Sequence, residues 1–119
     1  MRKGEIWLIV GTEHRNLDPT VGAEIQKTRP AVIVNEDAIG ILPLRVIVPL
    51  TDWKERYEIA PWMVRIDPDA TNGLSKPSAA DAFQIRSVSD IRFANRLGRI
   101  SGAHLQEILK AIQIIIGVS

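Results

Sequence analysis

No cysteine occurs among the 119 residues, which removes disulfides and thiolate metal sites and fits a reducing, cytoplasmic setting. Histidine is scarce too. His14 and His104 are the only two, and no cluster of Asp, Glu and His has ligand spacing, so neither a metal nor a cofactor is expected. Gly98 and Gly102 stand isolated rather than in a phosphate-cradling loop, and the nucleophile elbow of a serine hydrolase is missing. An excess of one charge is also lacking. Fifteen Lys and Arg against 14 Asp and Glu leave a net charge of +1, well short of the balance of a committed nucleic-acid binder. The apolar stretch inside "MRKGEIWLIVGTEH" is too short for a signal peptide or a membrane span, so a soluble, unprocessed chain is expected. Without repeats, low-complexity tracts or a linker, residues 1–119 read as a single domain.

What is present reads mainly as short strands. "GEIWLIV" (4–10) is rich in β-formers. Residues 11–28 have no sustained period and hold Gly11, Asn16, Asp18, Pro19 and Gly22, the composition of a long loop, which in compact domains is often functional. "PAVIVN" (30–35) is apolar on both faces, as in a strand covered on each side. "LRVIVPL" (44–50) follows, with Pro49 marking an edge or the end of pairing. "WMVRI" (62–66), "SAADAFQIRSV" (78–88) and "RLGRI" (96–100) complete five to six mostly antiparallel strands. A helix closes the chain. Ser101 caps it, Gly117 ends it, and Leu105, Ile108, Leu109, Ile112, Ile115 and Ile116 form an apolar stripe opposite His104, Glu107, Lys110 and Gln113. So few strands hide both faces of 30–35 only by curling into a small barrel or strongly bent sheet.

Charged residues gather in two places. In "GAEIQKTRPAVIV" (22–34), Glu24, Lys27 and Arg29 stand just before a buried strand, and Pro30 stiffens the backbone that carries Arg29. A guanidinium aimed by a rigid element suits a phosphate, which its planar fork of donors meets with two charge-assisted bonds. A rim ion pair with Glu24 or Asp37 is the equal alternative. Between Ile85 and His104, Arg86, Arg92, Arg96 and Arg99 face only Asp90, making either a small basic face or a solvated edge. Thr51 ends a strand, where a side chain is well placed for a site or simply caps a turn. Gln84 and Arg86, two apart, fall on one side of a strand. Trp53 and Tyr57, in the polar stretch after Thr51, are candidates for stacking on bases, whereas Trp62 reads as core.

The segments "GEIW", "GAEIQKTRPAVIVN", "VPLT", "QIRSV" and "RLGRIS" and the closing amphipathic helix, in that order over nearly the whole chain, resemble the MazF/PemK toxin family of bacterial toxin–antitoxin systems. The resemblance implies an SH3-like barrel of the CcdB/MazF kind with a C-terminal helix, forming a homodimer. It also implies metal-independent, sequence-specific cleavage of single-stranded RNA, mRNA included, and silencing by a cognate antitoxin. By position, Arg29 and Thr51 match the family's catalytic arginine and threonine, and Glu24 a functionally important acid. One departure stands out. Family members carry Asp or Glu immediately before the glutamine of "QIR", where this chain has Phe83.

Metal-free RNA cleavage sends the ribose 2′-hydroxyl onto the adjacent phosphorus, leaving a cyclic phosphate and a 5′-hydroxyl. It asks for a base, for donors to the phosphoryl oxygens and for an acid. Arg29 and Thr51 suit the donors, and Glu24 is the choice for the base with His14 as rival. Lys27, His14, Trp53, Gln84 and Arg86 are expected to hold RNA. Two other readings belong to different classes: a non-catalytic CcdB-like toxin that binds and poisons DNA gyrase, and a decayed relative that only binds a peptide.

Overall fold

The computed structural model describes residues 1–11, 28–39 and 42–118. The loop read at 11–28 thus lies almost wholly outside the described residues, and with it His14, Glu24 and Lys27. Among the described residues there are seven strands: β1 (Glu5–Ile9), β2 (Arg29–Ile33), β3 (Leu44–Asp52), β4 (Met63–Ile66), β5 (Ser78–Asp81), β6 (Arg86–Ser89) and β7 (Phe93–Arg99). They form one antiparallel sheet in the order β4-β5-β3-β2-β1-β7, with β6 also pairing β3. Among the described residues one α-helix, α1 (Gly102–Ile116), follows β7.

The expected strand at 78–88 is two strands. β5 pairs with Leu50–Asp52 of β3 and β6 with Leu44–Ile47, and the chain steps between them through a 3-10 turn at Ala82–Gln84. The Asp81 side chain accepts the Phe83 N–H at 3.1 Å and stabilises that turn. Pro49 fits the same break. It lies inside β3 opposite Ala31 of β2, yet on its other side neither the β5 nor the β6 ladder reaches it, so its missing N–H leaves no bond unmade. The expectation that pairing ends there holds for one side of the strand.

The sheet curls until its far ends meet. The loop after β4 reaches β7, where the Arg99 N–H donates to the Thr71 carbonyl at 2.9 Å. Buried Asn72 shapes this loop, its side chain accepting from the Asp69 and Leu74 N–H groups and donating to the Asp67 carbonyl. Backbones approach so closely here that a Cβ on Gly98 would stand 2.2 Å from the Thr71 carbonyl oxygen.

Strand alternation gives the sheet two apolar faces. Ile6, Val32, Val48 and Leu50 point to the larger core, against Ile108 and Ala111 of α1. Ile9, Ala31, Ile33, Ile47 and Phe93 point the other way, into a smaller cluster topped by Trp7. The helix is held as its sequence implies: Ser101 Oγ accepts the His104 N–H at 3.1 Å, and Gly117 adopts φ +77° at the C-terminus. Ile116 falls outside the packed stripe and stays exposed, and His104 is half-buried rather than on a fully solvated face. Among the described residues no helix is long and apolar enough to cross a membrane.

Candidate active site

The smaller cluster makes a floor, and β3 carries the site across it. Ala31 pairs with Pro49 and Ile33 with Ile47, so the same register continued along both strands sets Arg29 across from Thr51. Ile9 pairs with Arg29 on one side and Thr51 with Ala79 on the other. Directly paired residues share a face, and the continued register brings the Ile9–Arg29 and Thr51–Ala79 pairs into line on one face of four strands. A guanidinium and a hydroxyl 22 positions apart in sequence thereby come to line the same hollows.

Over this row opens a cleft of about 440 Å³, floored by Ile9, Ala31, Ile47 and Pro49 and rimmed by Arg29, Thr51, Tyr57, Asp81, Gln84, Arg86 and Arg92. On the other flank of Arg29 and Thr51 lies a second hollow of about 560 Å³, with Thr28, Ser75, Lys76 and Ser78 among its polar lining and Leu8, Leu50 and Leu97 beneath. Arg29 and Thr51 line both, and so stand as a ridge between them. A strand of polymer laid over the ridge would have room on either side.

Charge is distributed unevenly. Arg29 is exposed and forms no ion pair among the described residues; Asp37 instead accepts the Lys3 N–H at 2.8 Å. Arg92 is held at the rim by the Val10 carbonyl, which accepts from its Nε and Nη2 at 3.2 and 3.1 Å. Lys76 Nζ lies 3.1 Å from Asp52 Oδ1 at the edge of the second hollow. The four-arginine segment is thereby divided: Arg86 and Arg92 face the cleft, while Arg96 and Arg99 approach the Glu5 carboxylate at 3.5 and 3.7 Å. Burial pushes the Glu5 carboxyl up, but hydrogen bonds from the Trp7 indole and the Arg2 N–H, with the amino terminus and Arg96 nearby, bring it below the usual range. No group of three or more His, Cys, Asp or Glu among the described residues is placed to hold a metal ion.

A sequence model described as "PemK-like, MazF-like toxin of type II toxin-antitoxin system" matches residues 2–116. The chain belongs to this PemK/MazF-like family. It is similar to Endoribonuclease MazF9 of Mycobacterium tuberculosis, 32% identical over 120 residues with 96% of this chain and 94% of that protein covered. It is also similar to Endoribonuclease PemK of Escherichia coli, 31% identical over 118 residues with coverages of 98% and 82%. Among solved structures, a MazE-MazF crystal structure from Deinococcus radiodurans matches with a TM-score of 0.76 at 21% identity, covering 100% of this chain and 98% of that one. An endoribonuclease in complex with its cognate antitoxin from a mycobacterial species matches at 0.73 and 18%, with 100% and 97% covered. The fold is accordingly that of the MazF toxins, a mainly antiparallel CcdB/MazF barrel with one C-terminal helix.

Of the residues expected from sequence in this PemK/MazF-like chain, Arg29, Thr51, Gln84 and Arg86 come together around one cleft. Gln84 arrives from the 3-10 turn and Arg86 from β6, so they share the cleft although they do not share a strand. Trp53 does not line it. Its ring meets Tyr57 edge-on at 5.8 Å and carries the Arg65 guanidinium 5.2 Å above its centre, leaving Tyr57 as the aromatic at the cleft. Trp62 packs on the larger core as expected, and its ring meets Phe83 at 5.9 Å. Phe83 is exposed and turned out of the cleft. Arg92 and Asp81 were not singled out in the sequence as site residues. The crowding of arginines pointed toward the first, whereas nothing in the spacing of "SAADAFQ" reveals the turn that delivers the second.

Proposed function

We propose that this protein is an endoribonuclease toxin that cuts single-stranded RNA, mRNA included, at specific short sequences by a metal-independent route. The observation that carries the reading is an exposed guanidinium and a hydroxyl, both on strands of one sheet and both lining the same two clefts. The names of the MazF9 and PemK relatives, both endoribonucleases, support it.

The scissile phosphate rests on the ridge, with flanking nucleotides in the two hollows. As the 2′ oxygen approaches phosphorus, negative charge grows on the non-bridging oxygens, and Arg29 and Thr51 donate to them without having to reorganise. Arginine keeps its proton, so it stabilises charge and does not shuttle. A carboxylate takes the 2′ proton, and two are on offer: Glu24, before β2, which the family pattern suggests, and Asp81, which lines the cleft. In-line attack needs a pliable backbone, which a paired helix denies, hence the preference for single strands. Tyr57 stacks on a base, and Gln84 and Arg86 bind base edges or phosphates.

The active form is a homodimer acting in the cytoplasm. Its cognate antitoxin lays an acidic segment over the Arg29 cleft, in line with the antitoxin complexes described for structures of this fold. The test is to incubate the purified protein with a long single-stranded RNA and a chelator, then analyse the new ends. Fragments ending in a cyclic phosphate and a 5′-hydroxyl are expected. Cleavage that stops on chelation, or leaves 5′-phosphates, overturns the scheme.

A further inference from the structure

Resting on the endoribonuclease reading, we propose that Asp81 is the general base of this chain, the carboxylate that removes the proton from the attacking 2′-hydroxyl. Three observations meet here. Where the family resemblance implies an acid before the glutamine of "QIR" this chain has Phe83, and Phe83 is 64% exposed, set edge-on against Trp62 and not part of the cleft lining. Asp81, two residues earlier, is the one acidic side chain that lines the Arg29 cleft among the described residues. It belongs to the same surface as the donors: Thr51 pairs with Ala79, so Asp81, two residues along β5 from Ala79, falls on the same face of the sheet as Thr51.

The carboxylate is also oriented. Oδ1 accepts the Phe83 N–H at 3.1 Å as the cap of the Ala82–Gln84 turn, while Oδ2 accepts no hydrogen bond within the described residues. One oxygen anchors the group and the other is left for substrate, as a positioned base requires. The turn that carries Gln84 to the cleft therefore also fixes the base.

The step balances. Asp81 takes the 2′ proton as the 2′ oxygen bonds to phosphorus and the bond from phosphorus to the 5′ oxygen breaks. The leaving oxygen, on the opposite side of phosphorus in an in-line displacement, takes a proton from solvent water. Asp81 then returns its proton to the solvent, and the proton count over a turnover is zero.

Asp81→Asn is the test, because asparagine caps a turn as well as aspartate and retains an oxygen for the Phe83 N–H. Asp81→Ser, also a capping residue, guards against an effect peculiar to the amide. Cleavage of a long mixed-sequence single-stranded RNA is followed under single-turnover conditions across pH, and binding is measured with a 2′-deoxy analogue that cannot react. Both variants should bind the analogue at least as tightly as wild type and cleave about 100-fold slower or more. The fall in rate on the acid side of the wild-type profile should vanish from their residual activity. Asp81→Glu should recover part of the rate, and Glu24→Gln should keep the acid-side fall. A role confined to capping would lower the melting temperature and leave the pH profile alone, which overturns the assignment, as does an Asp81→Asn enzyme with wild-type rate. If wild type cuts no RNA, the endoribonuclease reading fails and the assignment with it; if wild type cuts and Asp81→Asn cuts equally, only the assignment is lost.

Discussion

Arg29 enters the cleft from the first residue of β2, where Pro30 biases it toward extended backbone, and Thr51 enters from near the end of β3. If the Thr51 hydroxyl bonds to the phosphoryl oxygens chiefly as charge builds, Thr51→Val should lower kcat about 100-fold and leave KM nearly unchanged, as steady-state kinetics on one defined RNA would show. Glu5 makes a separate prediction about stability. Its carboxyl is lowered in the folded protein, so its contribution is present in full above the ordinary glutamate range. That contribution is lost as the pH falls through the lowered folded value. Glu5→Ala, which strands the Trp7 indole and the Arg2 N–H, should destabilise by about 1–3 kcal/mol near neutrality. The gap from wild type should narrow in urea titrations at acid pH. A gap that widens there would mean the carboxylate is not the stabilising form.

Elements explain which parts of this arrangement could be read from sequence. The helix was legible from end to end because Ser101, Gly117 and a 3.6-residue apolar period all report on local backbone. The strands were legible singly, yet their partners were not, and the site depends on partners: the Arg29–Thr51 row exists only through the β2–β3 register. The misreading of 78–88 as one strand has a definite cause. No Gly, Pro or Asn interrupts the segment, and only a long β3, offering separate stretches of one edge to β5 and β6, makes the chain turn at Ala82–Gln84. Asp81 and Arg92 stayed hidden for the same reason, as their neighbours come from distant segments. The loop that fastens β4 to β7 is open to test. Asn72→Ala removes three hydrogen bonds from a fully buried side chain and should destabilise by about 1–3 kcal/mol or more in urea unfolding. Gly98→Ala places a Cβ against the Thr71 carbonyl, so hydrogen exchange at the Arg99 amide, which bonds to that carbonyl, should quicken.

The molecule as a whole separates stability from function by face. One side of the sheet packs on α1, where Ile108 is fully buried; Ile108→Ala should lower stability by about 2–5 kcal/mol while the folded fraction keeps its specific activity. The other side presents a basic cleft on a nearly neutral protein. With Arg29, Arg86, Arg92 and Lys76 around the two hollows, RNA binding should weaken with salt along a log–log slope of about −2 to −3, given about 0.7 per phosphate contact. An acidic antitoxin segment should compete with RNA for this face. The most direct measurement is RNA cleavage by Arg29→Ala, with circular dichroism as the control for folding. The account predicts a folded protein whose rate is down about 100- to 1,000-fold. A folded Arg29→Ala protein that cuts at the wild-type rate would contradict it.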